Sequence, residues 1–177
     1  GDYLDLYFNY NLDYDLRNQK FQPTDGYRAS FAQELPFISE YNEIINTFTY
    51  TGYKELLNDM VGRIGFFAQT ANSLTDDDVR ISKRLNVPYN RMRGFEKGKI
   101  GPKENESYIG GNYVTAFNIS TTLPQVLPTL ENADFSAFID MANVWGVDYD
   151  SSLDNNSKIR SSTGIAVDIL TPIGPLN

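Results

Sequence analysis

Acid-base and nucleophilic chemistry at neutral pH usually recruits histidine or cysteine, and these 177 residues contain neither. That removes Ser-His, Cys-His and Asp-His pairs, histidine- or thiolate-held zinc and iron, and disulfides. The expectation is a protein that is not an enzyme and that uses no metal and no cofactor. Asp148, Asp150, Ser152 and Asp154 place oxygens at alternate positions as a calcium loop does. Leu153, however, stands where that loop needs glycine, and Ile159 where it needs a bidentate glutamate. Gly98-Lys99 lacks the spacing and the hydroxyl of a phosphate loop, and Asn105-Glu106-Ser107 has only the form of a glycosylation triplet. Asp76-Asp77-Asp78 reads as a solvated loop. A formal net charge of −8 argues against tracking nucleic-acid phosphates. Trp145 and Tyr149 read as interface-belt aromatics rather than ligand platforms. Arg93, taken alone, reads as a loop arginine whose surface ion pair would be worth about 0–1 kcal/mol.

The elements that must position these residues read as strands. With 12 Tyr, 11 Phe, 13 Gly and 8 Pro, the composition favours strands joined by turns. Leu4, Leu6, Phe8, Tyr10, Leu12 and Tyr14 alternate with Asp5, Tyr7, Asn9, Asn11 and Asp13, so one face is apolar and the other polar. Similar alternation predicts seven strands over residues 3–15, 27–37, 42–54, 60–71, 112–123, 134–146 and 158–170. Each approaches the roughly 9–11 residues with which a tilted strand crosses a bilayer. Residues 72–111 form a long polar segment punctuated by Gly and Pro, the kind of loop that usually serves a function. No apolar run approaches the roughly 20 residues of a membrane helix. A soluble β-sandwich also alternates, but its strands are shorter, and tyrosines rimming a wide apolar band favour a transmembrane barrel with a polar lumen. Gly1-Asp2-Tyr3 opens directly into a strand pattern with no signal-peptide pattern, so an internal fragment is expected.

Four motifs carry a family resemblance. Arg93-Gly94-Phe95 is followed by Ile100-Gly101-Pro102-Lys103 and then by Tyr108-Ile109-Gly110-Gly111-Asn112. Phe138-Ile139-Asp140-Met141-Ala142-Asn143-Val144-Trp145 comes next, then Ile159-Arg160-Ser161-Ser162-Thr163-Gly164, then Thr171-Pro172-Ile173-Gly174-Pro175-Leu176. In this order they resemble the BamA family of outer-membrane protein assembly factors, within the bacterial surface antigen, or outer-membrane assembly barrel, superfamily. Phe21 to Arg28 agrees more weakly.

The resemblance implies an all-β, up-and-down antiparallel barrel of sixteen strands, of which this chain would hold about seven. It implies residence in the bacterial outer membrane and a signature loop, residues 72–111, folded back into the lumen. In that setting the Arg93 guanidinium needs a carboxylate, and Asp140 has inward parity because Ile139 and Met141 flank it on the apolar side. Gly94 would permit the turn and Phe95 would pack under the loop. Relatives often carry a second acid where this chain has Ser120, so the anchor is expected to rest on Asp140 alone, and Ala142 replaces the family's glycine. The implied activity is insertion of unfolded outer-membrane β-barrel clients, with the lipid bilayer, lipopolysaccharide and barrel assembly lipoproteins as partners. The alternatives are a TamA-like or two-partner secretion member of the superfamily, a passive outer-membrane pore, or a barrel enzyme.

Overall fold

The computed structural model describes residues 5–39, 42–57, 59–124, 133–171 and 174–176. Seven long strands run in sequence: β1 (Leu6–Asp15), β2 (Gly26–Ile38), β3 (Glu43–Leu57), β4 (Met60–Ser73), β7 (Tyr113–Thr122), β8 (Ala133–Trp145) and β9 (Arg160–Thr171). The segment between β4 and β7 contributes a small hairpin, β5 (Lys103–Glu104) and β6 (Ser107–Tyr108), and a short β10 (Gly174–Leu176) follows β9. The main sheet is antiparallel in the order β1-β2-β3-β4-β7-β8-β9-β10, each strand pairing with its sequence neighbour, and it does not close on itself. Among the described residues the only helical pieces are short 3-10 turns at Ile81–Lys83, Tyr89–Arg91 and Ser151–Asn156. At the sheet edge Gly174–Leu176 pairs with Ile169–Thr171 as β10 against β9. β3 extends to Leu57 and β4 to Ser73, so the inward loop starts at Leu74 rather than at residue 72. Leu4 and Pro172 lie outside the described residues.

The register assigns the faces. Leu12, Phe31, Phe48 and Ala68 stand opposite one another across four strands, and Phe66, Phe117 and Met141 across three. Because successive side chains alternate across a strand, these residues share the outer face with Ile64, Ile119, Ile139 and Ile165. Phe8, Leu12, Ile64, Ile139 and Ile165 are all exposed there. Polar side chains on the outer face are paired with one another. Tyr10 donates to Gln33 (2.9 Å), Gln33 to Asn46, and Asn46 to Thr70 (3.2 Å), so these groups lie on the apolar face with their hydrogen-bonding atoms partnered. The register slips between Leu6 and Tyr7, beside Pro36, which has no N–H to give to a ladder.

The inner face departs from the polar lining expected of a lumen. Phe67 and Ala71 of β4, Val114 and Ala116 of β7, and Ala142 and Val144 of β8 are buried beneath the loop's Val79, Leu85, Val87, Met92 and Ile100. The reason is the loop itself. Residues 74–112 occupy that surface and exclude water from it, so this stretch of wall is a packed core rather than a channel lining.

Candidate functional site

The site is built by the turn that ends the loop's inward excursion. Pro88, with φ −58°, starts the 3-10 turn Tyr89–Arg91; Met92 is extended, and Gly94 reverses the chain at φ +80°. Between them Arg93 points at β8. Its backbone N–H, Nε and Nη2 donate to the Asp140 carboxylate at 3.1, 2.7 and 2.8 Å. Asp140 is fully buried on the inner face, so two parallel bonds from the fork and a third from the main chain replace its water. Asn118 of β7, opposite Asp140 in register, gives its Nδ2 to both Asp140 Oδ1 and the Arg91 carbonyl at 2.8 Å. The Arg93 guanidinium also lies 3.7 Å from the centre of the Phe138 ring. Phe138 can lie flat because the residue opposite it on β9 is Gly164, where an added Cβ would stand 3.0 Å from the ring.

The structure therefore brings Arg93, Asp140, Phe138 and Gly164 into one cluster, and it adds Asn118, which sequence reasoning missed. Asn118 carries no motif signal beyond its inward parity beside Asp140. Ser120 takes no part in the clasp and lines a cavity of about 620 Å3 below Arg93, together with Tyr53, Arg63, Asp134 and Asp168. Phe95 is only partly covered by the loop. It is 37% exposed at the edge of a small cavity with Val87, Pro88 and Ile100, whereas Met92, 3% exposed, belongs to the core. Next to the clasp, burial pushes the Arg91 guanidinium below its usual pKa, and the charge of Arg63 adds to this.

The remaining motif residues fix where the loop leaves the wall. Gly111 bridges to Leu85, and Gly101 and Gly111 each pass so close to β8 that an added Cβ would meet Val144 at 2.7 Å and the Trp145 carbonyl oxygen at 2.5 Å. Gly110 has φ +71°, and Ile100 and Pro102 are buried beside it. Trp145 stacks on Tyr113 on the outer face, and Asn143 accepts from Ser157 on the same face. Arg160 stands apart from the clasp, lining a polar cavity of about 480 Å3 with Lys103, Tyr108 and Lys158. Gly174 and Pro175 pair with Thr171 and Leu170 at the sheet edge.

Asp140 is not the loop's sole anchor. Asp148 accepts from the Val79 N–H at 2.7 Å and from Asn112 at 2.9 Å, with Arg84 at 3.7 Å. Burial raises its pKa, but these donors outweigh burial and hold the carboxyl below its ordinary value. Arg84 lies 4.4 Å over the Tyr149 ring, and the Tyr149 hydroxyl donates to Glu104. Of the other calcium-loop oxygens, Asp154 accepts from the Gly146 and Val147 N–H groups, and Asp150 caps the turn at Ser152. On the same inner face but at the β1–β3 end of the sheet, Lys83 pairs with Glu34, and Arg80 donates its N–H, Nε and Nη2 to Glu43 at 2.7, 3.0 and 2.9 Å.

Comparison with known proteins agrees with this geometry. The sequence matches the Omp85 superfamily domain over residues 1–177. It is 22% identical over 173 residues to the outer membrane protein assembly factor BamA of Neorickettsia risticii (strain Illinois), covering 95% of this chain and 23% of that protein. The fold superposes on the crystal structure of BamA from Haemophilus ducreyi lacking POTRA domains 1–3 with a TM-score of 0.82 at 25% identity, covering 97% of this chain and 37% of that one. The chain thus spans well under half of either relative. It belongs to the Omp85 superfamily, as a segment of an outer-membrane β-barrel.

Proposed function

We propose that this chain supplies the wall and the inner loop of a BamA-like insertase, a non-enzymatic protein that helps unfolded β-barrel clients enter the outer membrane. The Arg93–Asp140 clasp carries the reading. A passive pore gains nothing from a loop held across its inner face by a buried fork, whereas an insertase needs a barrel whose shape holds while a client strand pairs at an open edge. By this reading the seam lies on strands outside this chain, and local thinning of the bilayer beside it eases entry. The partners are the clients, the bilayer with its lipopolysaccharide, and barrel assembly lipoproteins. The chain's own residues position and do no covalent chemistry.

The test is a cell depleted of the native protein and supplied with full-length variants. Arg93→Ala and Asp140→Ala should each lower the amount of folded client in the outer membrane by about tenfold or more, as expected when a buried charge loses its partner. Normal client levels with Arg93→Ala would reject the reading.

A further inference from the structure

Arg80 uses the same donors as Arg93. Each arginine gives its backbone N–H, Nε and Nη2 to one buried carboxylate; Arg93 spans both oxygens of Asp140, while Nε and Nη2 of Arg80 share Oε2 of Glu43 and its Nη1 lies 3.4 Å from Asp5. Both carboxylates are buried, Glu43 at 2% exposure and Asp140 at 0%. Glu43 opens β3 and Asp140 sits in the middle of β8, so the two clasps grip opposite parts of the sheet. Around Arg80 the contacts continue to β1. Its Nη2 also donates to the Tyr7 hydroxyl at 2.7 Å, and the Lys83 ammonium lies 4.0 Å over the Tyr7 ring while pairing with Glu34 of β2. The entry limb of the loop is thus tied to β1, β2 and β3, and the turn at Arg93 to β7 and β8.

We infer that Arg80 and Glu43 form a second, separately releasable clasp, which makes the loop a strut across the inner face between β1–β3 and β8. A surface ion pair would not need a carboxylate buried to 2% exposure, nor would it use the main-chain N–H. The fork and the N–H together fix the direction of the limb as well as its attachment. The inference rests on the loop's proposed role, but its test reads loop position without any client.

The loop supplies its own reporters, because Arg80, Lys83 and Arg84 lie on the entry limb and Arg91 and Arg93 at the turn. Full-length protein, folded in detergent and migrating as a folded barrel before heating, would be digested briefly with trypsin and its cut sites read by mass spectrometry. Cleavage in such a segment tracks the population that has opened. Glu43→Ala should speed cleavage after Lys83 and Arg84 by about tenfold, because Arg80 then loses Glu43 but keeps its contacts to Tyr7 and, at 3.4 Å, to Asp5. Cleavage after Arg93 should stay near the wild-type rate. Asp140→Ala should give the reverse pattern. Arg80→Lys keeps the charge and loses the fork, and should speed entry-limb cleavage by about tenfold. It decides the matter alone if Glu43→Ala does not fold. Wild-type digestion of these variants, or release of both limbs together in any one of them, would overturn the second clasp. The loop's part in assembly would still stand.

Discussion

At the residue scale, loop attachment depends on carboxylates that give up water for directed donors, and pH should reveal this at Asp148. Its pKa is depressed in the folded protein, so its contribution is present above the unfolded value near about 4 and is lost as pH falls through the lower folded value. The stability gap between the wild type and Asp148→Asn, followed by thermal melting of the full-length protein, should therefore be largest at neutral pH and narrow on acidification. A gap that grows as pH falls would contradict the assigned donors. Asp140 was legible before the fold was known because strand parity sent it inward between Ile139 and Met141. Glu43 was not, because it opens a strand with no motif around it, and Arg80 sits 37 residues away. Alternation assigns a side chain to a face, but a loop partner this distant is fixed only by how the loop packs.

At the scale of elements, the strands could be read from their period of two, which sets apolar rows such as Phe66–Phe117–Met141 on the outer face. The loop could not, because its order comes from tertiary packing. Leu85, Val87, Met92 and Ile100 have no periodicity of their own and become a core only against Phe67, Val114 and Val144. The glycines of the loop separate two constraints. At Gly94 an added Cβ would meet nothing nearer than 3.9 Å, so Gly94→Ala should cost only the left-handed backbone term, about 1–2 kcal/mol. At Gly111 the Cβ would meet a backbone oxygen at 2.5 Å, so Gly111→Ala should cost more, about 2–3 kcal/mol, with the loop displaced from β8. Denaturant titration of the two variants in the full-length protein would rank them, and equal losses would contradict the close approach.

At the scale of the whole molecule, one sheet presents an apolar face outward and a loop-filled face inward, and the two faces should tolerate charge differently. Ile139 is outward and 46% exposed, so Ile139→Arg should cost about 2–4 kcal/mol for folding into lipid vesicles. Ser136→Arg, which lines the inner cavity of about 620 Å3, should cost much less. The reverse order would mean that the faces are misassigned. The central claim is that the loop works because a fork-shaped contact holds it, and the direct measurement is the rate at which full-length protein in vesicles folds a client barrel. With Arg93→Lys, which keeps the charge and loses the fork, the rate should fall by about tenfold. The Arg93→Ala, Asp140→Ala double variant should be no slower than the slower single variant, because both changes remove one contact. Wild-type rates with Arg93→Lys, or additive losses in the double variant, would contradict the account.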